Sequence, residues 1–302
     1  MTRRAIVIAV VLCGSASIAA AQGNSAGHGH AHQGGVTAGS GGSATPLPAS
    51  GEGVRSFGVW LDDASIAEPG GGWATLSLGY FRSDLFHEVD VPVADAGMGL
   101  TNRVQAGFSV PVYNVTPIGG VRAHGVGDVY LHSKIQMRDP DKASNGFGYA
   151  LVPIVEVVRE PLPGQSKVNW ALPVSLELRR TGWRTYGSGG YFSRGSVFGS
   201  VAVERSLTER LALTGTFSDS FITHVDPAVP QTLGRSRADV SGGASYAVGP
   251  SWIVFGSLGR TISAHDRDST NVALTVGVSL NLAAPPEKRP APRKKHGQPI
   301  KG

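Results

Sequence analysis

From about Gly72 to Leu282, apolar and polar residues alternate in segments of roughly ten, separated by clusters of Gly, Pro, Asn, Asp and Ser. In "NVALTVGVSLNL", Val272, Leu274, Val276, Val278, Leu280 and Leu282 share one face, while Asn271, Ala273, Thr275, Gly277, Ser279 and Asn281 share the other. Successive side chains of a strand point to opposite faces, so this is a strand with one apolar and one polar side. "GVGDVYLHSKIQMRD" sets Val129, Leu131, Ile135 and Met137 against Asp128, Tyr130, His132, Lys134, Gln136 and Arg138. "VNWALPVSLELRR" sets Trp170, Leu172, Val174, Leu176 and Leu178 against Asn169, Ser175, Glu177 and Arg179. The pattern predicts twelve strands: 72–83, 87–99, 102–113, 126–138, 146–158, 168–180, 183–192, 196–206, 210–222, 236–247, 252–262 and 271–282, with 54–61 a further candidate.

Two architectures bury one face of such strands: a soluble sandwich with an apolar core, and a barrel in lipid with an apolar exterior. Strand length favours the barrel, because about eleven residues at about 3.3 Å each, tilted near 45°, cover an apolar band of about 25 Å. The even strand count and the loops agree. "GLTNR", "RTGW", "SLTER" and "AVGPS" are short and "DPDKASNG" somewhat longer, whereas the opposite end carries "NVTPIGGVRAHG", "REPLPGQSK", "THVDPAVPQTLGRS" and "SAHDRDST". Short periplasmic turns with longer outer loops are the outer-membrane arrangement. Trp73, Trp170, Trp183, Trp252, Tyr80 and Tyr191 near strand ends fit interfacial girdles. The expected fold is thus all-β, an antiparallel up-and-down transmembrane β-barrel over 72–282.

The flanks supply the compartment. Arg3 and Arg4, an apolar run from Ala5 to Leu12 and small residues ending at Ala21 read as a secretory signal peptide over 1–21. The only cysteine, Cys13, lies within it, so the remaining chain has no disulfide and no thiol chemistry. Residues 22–71 are expected to be a Gly/Ser/His-rich disordered linker. The net charge of +5 is carried by the basic, Pro-rich tail 283–302, whose six Lys and Arg face one Glu. With Arg3 and Arg4 in the leader, residues 22–282 are left at about −2, which argues against nucleic acid as a partner. The tail reads either as a solvated extension or as a contact to anionic lipid or envelope polymer.

Two segments carry a family resemblance. "GLTNRVQAGFSVPVY" (Gly99 to Tyr113) and "GVGDVYLHSKIQ" (Gly125 to Gln136) resemble the family of outer-membrane transporters named for the MetA pathway of phenol degradation. The resemblance implies a barrel of this size in the bacterial outer membrane and passage of small aromatic or other apolar solutes. Thr275, Gly277, Leu280 and Leu282 resemble the last-strand pattern read by the bacterial barrel-assembly machinery, which makes that machinery and the lipid bilayer expected partners; here a tail follows where such strands often end the chain.

The candidate lumen-lining residues are Asp128, His132, Lys134, Gln136, Glu156, Glu177, Arg179 and Glu204. They read either as a constriction that selects solutes or as a salt-bridged filling that stiffens a narrow barrel. His28, His30 and His32 form a weak candidate metal site in the linker. An omptin-like rim protease would use acidic pairs with a His, for which His224 and Asp226, with Asp266 and Asp268, are candidates on two outer loops; polar loop tips are rich in Asp in any case. No catalytic residue and no cofactor is assigned. The expected function is a non-enzymatic channel for small solutes, with a filled structural or surface-interaction barrel as the alternative.

Overall fold

A computed structural model describes residues 61–84, 86–117, 123–159, 166–193, 195–223, 236–263 and 270–282. Residues 1–60, which include the expected signal peptide and His28, His30 and His32, the stretch from 283, and His224, Asp226, Asp266 and Asp268 lie outside them. The strands are β1 (Gly72–Arg82), β2 (Phe86–Thr101), β3 (Val104–Pro117), β4 (Ala123–Val126), β5 (Val129–Arg138), β6 (Phe147–Leu151) and β7 (Ile154–Val157). They continue with β8 (Val168–Arg180), β9 (Trp183–Phe192), β10 (Ser196–Ser206), β11 (Leu211–Ile222), β12 (Ser236–Ala247), β13 (Trp252–Ser263) and β14 (Val272–Leu282).

These fourteen pieces make a closed antiparallel barrel of twelve strands. β4 and β5 both pair with β3 and form one strand interrupted at Gly127 and Asp128. β6 and β7 both pair with β5 and β8 and form one strand interrupted at Val152 and Pro153. Pro153 has no N–H to give, but Ser133 N donates to its carbonyl at 3.0 Å and Val152 N donates to Pro173 O at 3.0 Å, so the wall stays continuous. β1 closes the ring against β14, from Gly72↔Leu282 to Arg82↔Val272. Closure leaves no unpaired edge, which is the condition for placing strands in lipid.

Both ends of the strand run lie at the end bearing the tight turns. One of the two two-residue turns among the described residues joins Arg180 to Trp183 through Thr181 and Gly182, where Gly182 takes a φ of 78°, a left-handed conformation that favours glycine. At the opposite end, β3 extends to Pro117 and β4 begins at Ala123, so the expected loop "NVTPIGGVRAHG" is largely strand.

The burial pattern is that of a membrane barrel, apolar outside and polar inside. Leu76, Leu131, Leu172, Leu176, Val201 and Leu258 project outward and are exposed, while their neighbours Thr75, Ser77, His132, Ser175 and Ser257 are buried inside. Trp183, Trp252 and Tyr246 ring the short-turn end; Trp170 and Tyr191 pack at 5.9 Å between ring centroids near the other. Tyr80 is half-buried with its hydroxyl 3.2 Å from His87 Nδ1.

Two expectations are corrected. Trp73 is not in a girdle: it shares the inward parity of Thr75 and Ser77 and is 2% exposed. Arg138, expected inside, is exposed where β5 meets its turn, and its Nη2 donates to Asn145 Oδ1 at 2.9 Å. A third difference concerns residues 22–71, expected to be linker throughout. Leu61–Ala67 are buried, and their hydrogen bonds run to inward side chains of the wall.

Candidate functional site in the barrel lumen

The lumen divides into two chemically different halves. At the short-turn mouth, the chain reaches β1 through Pro69–Gly71, held by Gly70 N to Gly99 O and Gly99 N to Gly71 O, both 2.9 Å. Gly99 faces inward here, and a Cβ on it would lie 2.3 Å from the carbonyl oxygens of Ala67 and Glu68, so only glycine allows this close crossing. Ala67 N then donates to Gln105 Oε1 at 2.8 Å, and Gln136 Nε2 donates to Ala64 O at 3.0 Å.

Charge holds the rest of the segment. Lys134 Nζ donates to Asp62 Oδ1 at 2.7 Å, Asp63 Oδ1 at 3.0 Å and Ser65 O at 2.9 Å. Arg184 Nη1 reaches Asp63 Oδ2 at 2.9 Å, and its Nε reaches Glu204 Oε1 at 3.1 Å. Its guanidinium stands over the Tyr186 ring, 4.4 Å from the centroid, a cation–π geometry. Glu177 accepts from Ser65 Oγ at 2.9 Å and from Arg179 Nη2 at 2.6 Å, while Arg179 Nη1 also reaches Asp141 Oδ1 at 2.6 Å in the β5–β6 turn. Leu61 adds an apolar contact with Tyr186 and Ala202.

This network is a closure made of ion pairs and hydrogen bonds rather than of apolar packing. Burying charges is costly, and such pairs hold only when geometry and further hydrogen bonds offset desolvation. Three cations, Lys134, Arg179 and Arg184, face five carboxylates, Asp62, Asp63, Glu177, Glu204 and, in the turn, Asp141. The excess of carboxylates agrees with the direction for Asp62: burial pushes its pKa up to about 7, although Lys134 opposes the shift. Burial works on Asp63 in the same direction, but Lys134 and Arg184 outweigh it and hold that group below the ordinary carboxylate range.

The other half is lined by Glu88, Asp90, Asp128, Glu156 and Asp239, all buried, with Asp95 at mid-height. Glu156 accepts from Tyr130 Oη and Asn169 Nδ2, both at 2.9 Å; Asp239 accepts from Thr261 Oγ1 at 2.6 Å; Asp128 accepts from Arg159 N at 3.1 Å. Beside them lies an apolar patch of Tyr130, Val152, Ile154, Ala171, Phe192 and Phe198. Among the described residues, no group of three or more His, Asp or Glu is arranged to hold a metal ion.

Of the eight residues expected in the lumen, Asp128, His132, Lys134, Gln136, Glu156, Glu177 and Glu204 are buried and Arg179 is half-buried. Lys134, Gln136, Glu177, Arg179 and Glu204 meet in the mouth network, whereas Asp128, His132 and Glu156 lie farther along the barrel. Sequence reasoning missed Gln105 and Arg184, which the same alternation places inward, and Asp62, Asp63 and Ser65, for which no periodic signal exists.

No family model and no curated protein matches the sequence. Solved structures match the fold. An outer membrane channel from Pseudomonas putida F1 superposes with a TM-score of 0.56 at 13% identity, covering 73% of this chain and 98% of that one. The NanC porin superposes with a TM-score of 0.51 at 10% identity, covering 69% of this chain and 100% of that one. The protein is a β-barrel of the bacterial outer membrane. At these identities the likeness is one of fold, and the resemblance to the phenol-degradation family is supported only at the level of an outer-membrane barrel.

Proposed function

We propose that this barrel is a passive outer-membrane channel for small solutes, closed at its short-turn mouth by residues 61–67. The observation that carries the reading is the chemistry of the closure. A polar, charged interior faces a segment held by ion pairs and hydrogen bonds, contacts that water can replace when the segment withdraws. The family resemblance and the apolar patch around Tyr130, Phe192 and Phe198 support small aromatic or apolar compounds among the solutes. The near-complete burial of inward side chains favours a second reading, a filled structural barrel.

Single-channel conductance of the refolded full chain in planar bilayers, compared with Gly99→Val, separates the two. A channel shows rare or small openings in the parent and steady conductance once the crossing at Gly99 is blocked. A folded barrel that stays silent in both forms is a structural one.

A further inference from the structure

Lys134 is a buried ammonium whose three donors all go to the segment: one to Asp62, one to Asp63 and one to Ser65 O. An ammonium has three donors and no acceptor, so none is left for the wall. Arg184 differs, because it keeps Glu204 at 3.1 Å and Glu177 at 3.4 Å on neighbouring strands whether the segment is present or not. Without Asp62 and Asp63, Arg179 keeps Glu177 and Asp141 and Arg184 keeps Glu204, while Lys134 loses both of its carboxylate partners. An ammonium left without its carboxylates beside two paired guanidinium groups is a site that favours an anion.

We infer that Lys134 and Arg184 form a binding site for small dicarboxylate solutes, and that Asp62 and Asp63 occupy it as a built-in competitor. The bound segment shows the form of the ligand. One carboxylate, that of Asp63, spans Lys134 Nζ at 3.0 Å and Arg184 Nη1 at 2.9 Å; a second, that of Asp62, sits on Lys134 at 2.7 Å. Gln136 Nε2 and Gln105 Oε1, now on the segment's backbone, offer a donor and an acceptor for a neutral polar group on the same solute. Because the competitor is tethered, it acts at a high effective concentration and lowers the apparent affinity for any free ligand by the fraction of time it is docked.

The inference deepens the channel reading and rests on it for access, but binding is measured without conduction. Calorimetric titration of the detergent-refolded full chain with succinate, with succinamide as its uncharged counterpart, tests it. Succinate is expected to bind at least about tenfold more tightly to Gly99→Val, and to the double variant Asp62→Asn/Asp63→Asn, than to the parent. Succinamide gains nothing, and Lys134→Met added to either variant abolishes the gain. The two displacing variants act from different sides of the contact, so misfolding of one leaves the other to decide. Equal affinity for succinate and succinamide, or no gain in either folded variant, overturns the site. A barrel silent in conductance that still shows the succinate gain keeps the site and loses the channel.

Discussion

Lys134 and Asp62, 72 positions apart in sequence, meet at 2.7 Å inside the barrel, with Lys134 wholly shielded from solvent. Neither is at home there alone. Replacing one partner of a buried pair strands the other, a change worth about 3–5 kcal/mol in typical cases. Lys134→Met keeps the side-chain length and removes the charge, so its main effect falls on the segment, which loses three hydrogen bonds, rather than on the wall. Limited proteolysis near residues 61–67 should become at least about tenfold faster than in the parent. Lys142→Met, which breaks the exposed pair with Asp139, should leave it unchanged. Equal proteolysis of Lys134→Met and parent would show that charge does not hold the segment.

Shape provides an independent handle on the same closure. Gly99 is crossed so closely by Ala67 and Glu68 that even one methyl at its Cβ meets backbone oxygens at 2.3 Å. Gly99→Ala should therefore release the segment without altering any charge, while Ala96→Gly, three residues away on the opposite face of the strand, should not. Intrinsic fluorescence, with Trp73 reporting from inside the barrel, would register a wetter environment in Gly99→Ala.

The opposite titrations of Asp62 and Asp63 give the closure a pH dependence of definite sign. Asp62 faces Lys134 and Asp63; Asp63 faces Lys134, Arg184 and Arg179. An undocked aspartate titrates near about 3.9. Docked Asp62 keeps its proton up to about 7, so between those values the docked state holds the extra proton and docking weakens as pH rises. Asp63, lowered on docking, contributes fully above about 4 and loses its contribution as pH falls through its docked value. Protease accessibility of the segment should accordingly increase from pH 5 to pH 8, and the increase should vanish in Asp62→Asn. A segment that becomes better protected over that range would refute the assignment.

The wall of this barrel was legible in sequence because lipid imposes one rule on every strand. Each outward position must be apolar, so parity alone places Leu131 outside and Lys134 inside, and a turn cluster marks each reversal. The break at Val152 did not disturb the reading, since the alternation runs through it, whereas at Gly127 and Asp128, both buried, the parity shifts by one residue. Trp73 was misplaced by residue type, although its parity with Thr75 and Ser77 was already correct. The segment from Leu61 to Ala67 was not legible. Two adjacent aspartates in a short stretch without periodicity read as part of the disordered linker, and what they pair with is a lysine on a strand far along the chain.

The lipid-facing rule itself is testable on one strand, where neighbours have opposite fates. Leu176, in the middle of β8, is 48% exposed toward the membrane, and Ser175 beside it is fully buried inside. Arginine at the bilayer midplane costs about 2–4 kcal/mol in a transmembrane barrel, so Leu176→Arg should lower folding stability in vesicles by that amount. Ser175→Ala, which removes only a hydroxyl on the inner face, should stay within about 1 kcal/mol. Reversible urea titrations of both variants in lipid vesicles measure the contrast. If Leu176→Arg were tolerated as well as Ser175→Ala, β8 would not face lipid on its leucine side, and the inward placement of Glu177, with the charge network built on it, would fall with that orientation.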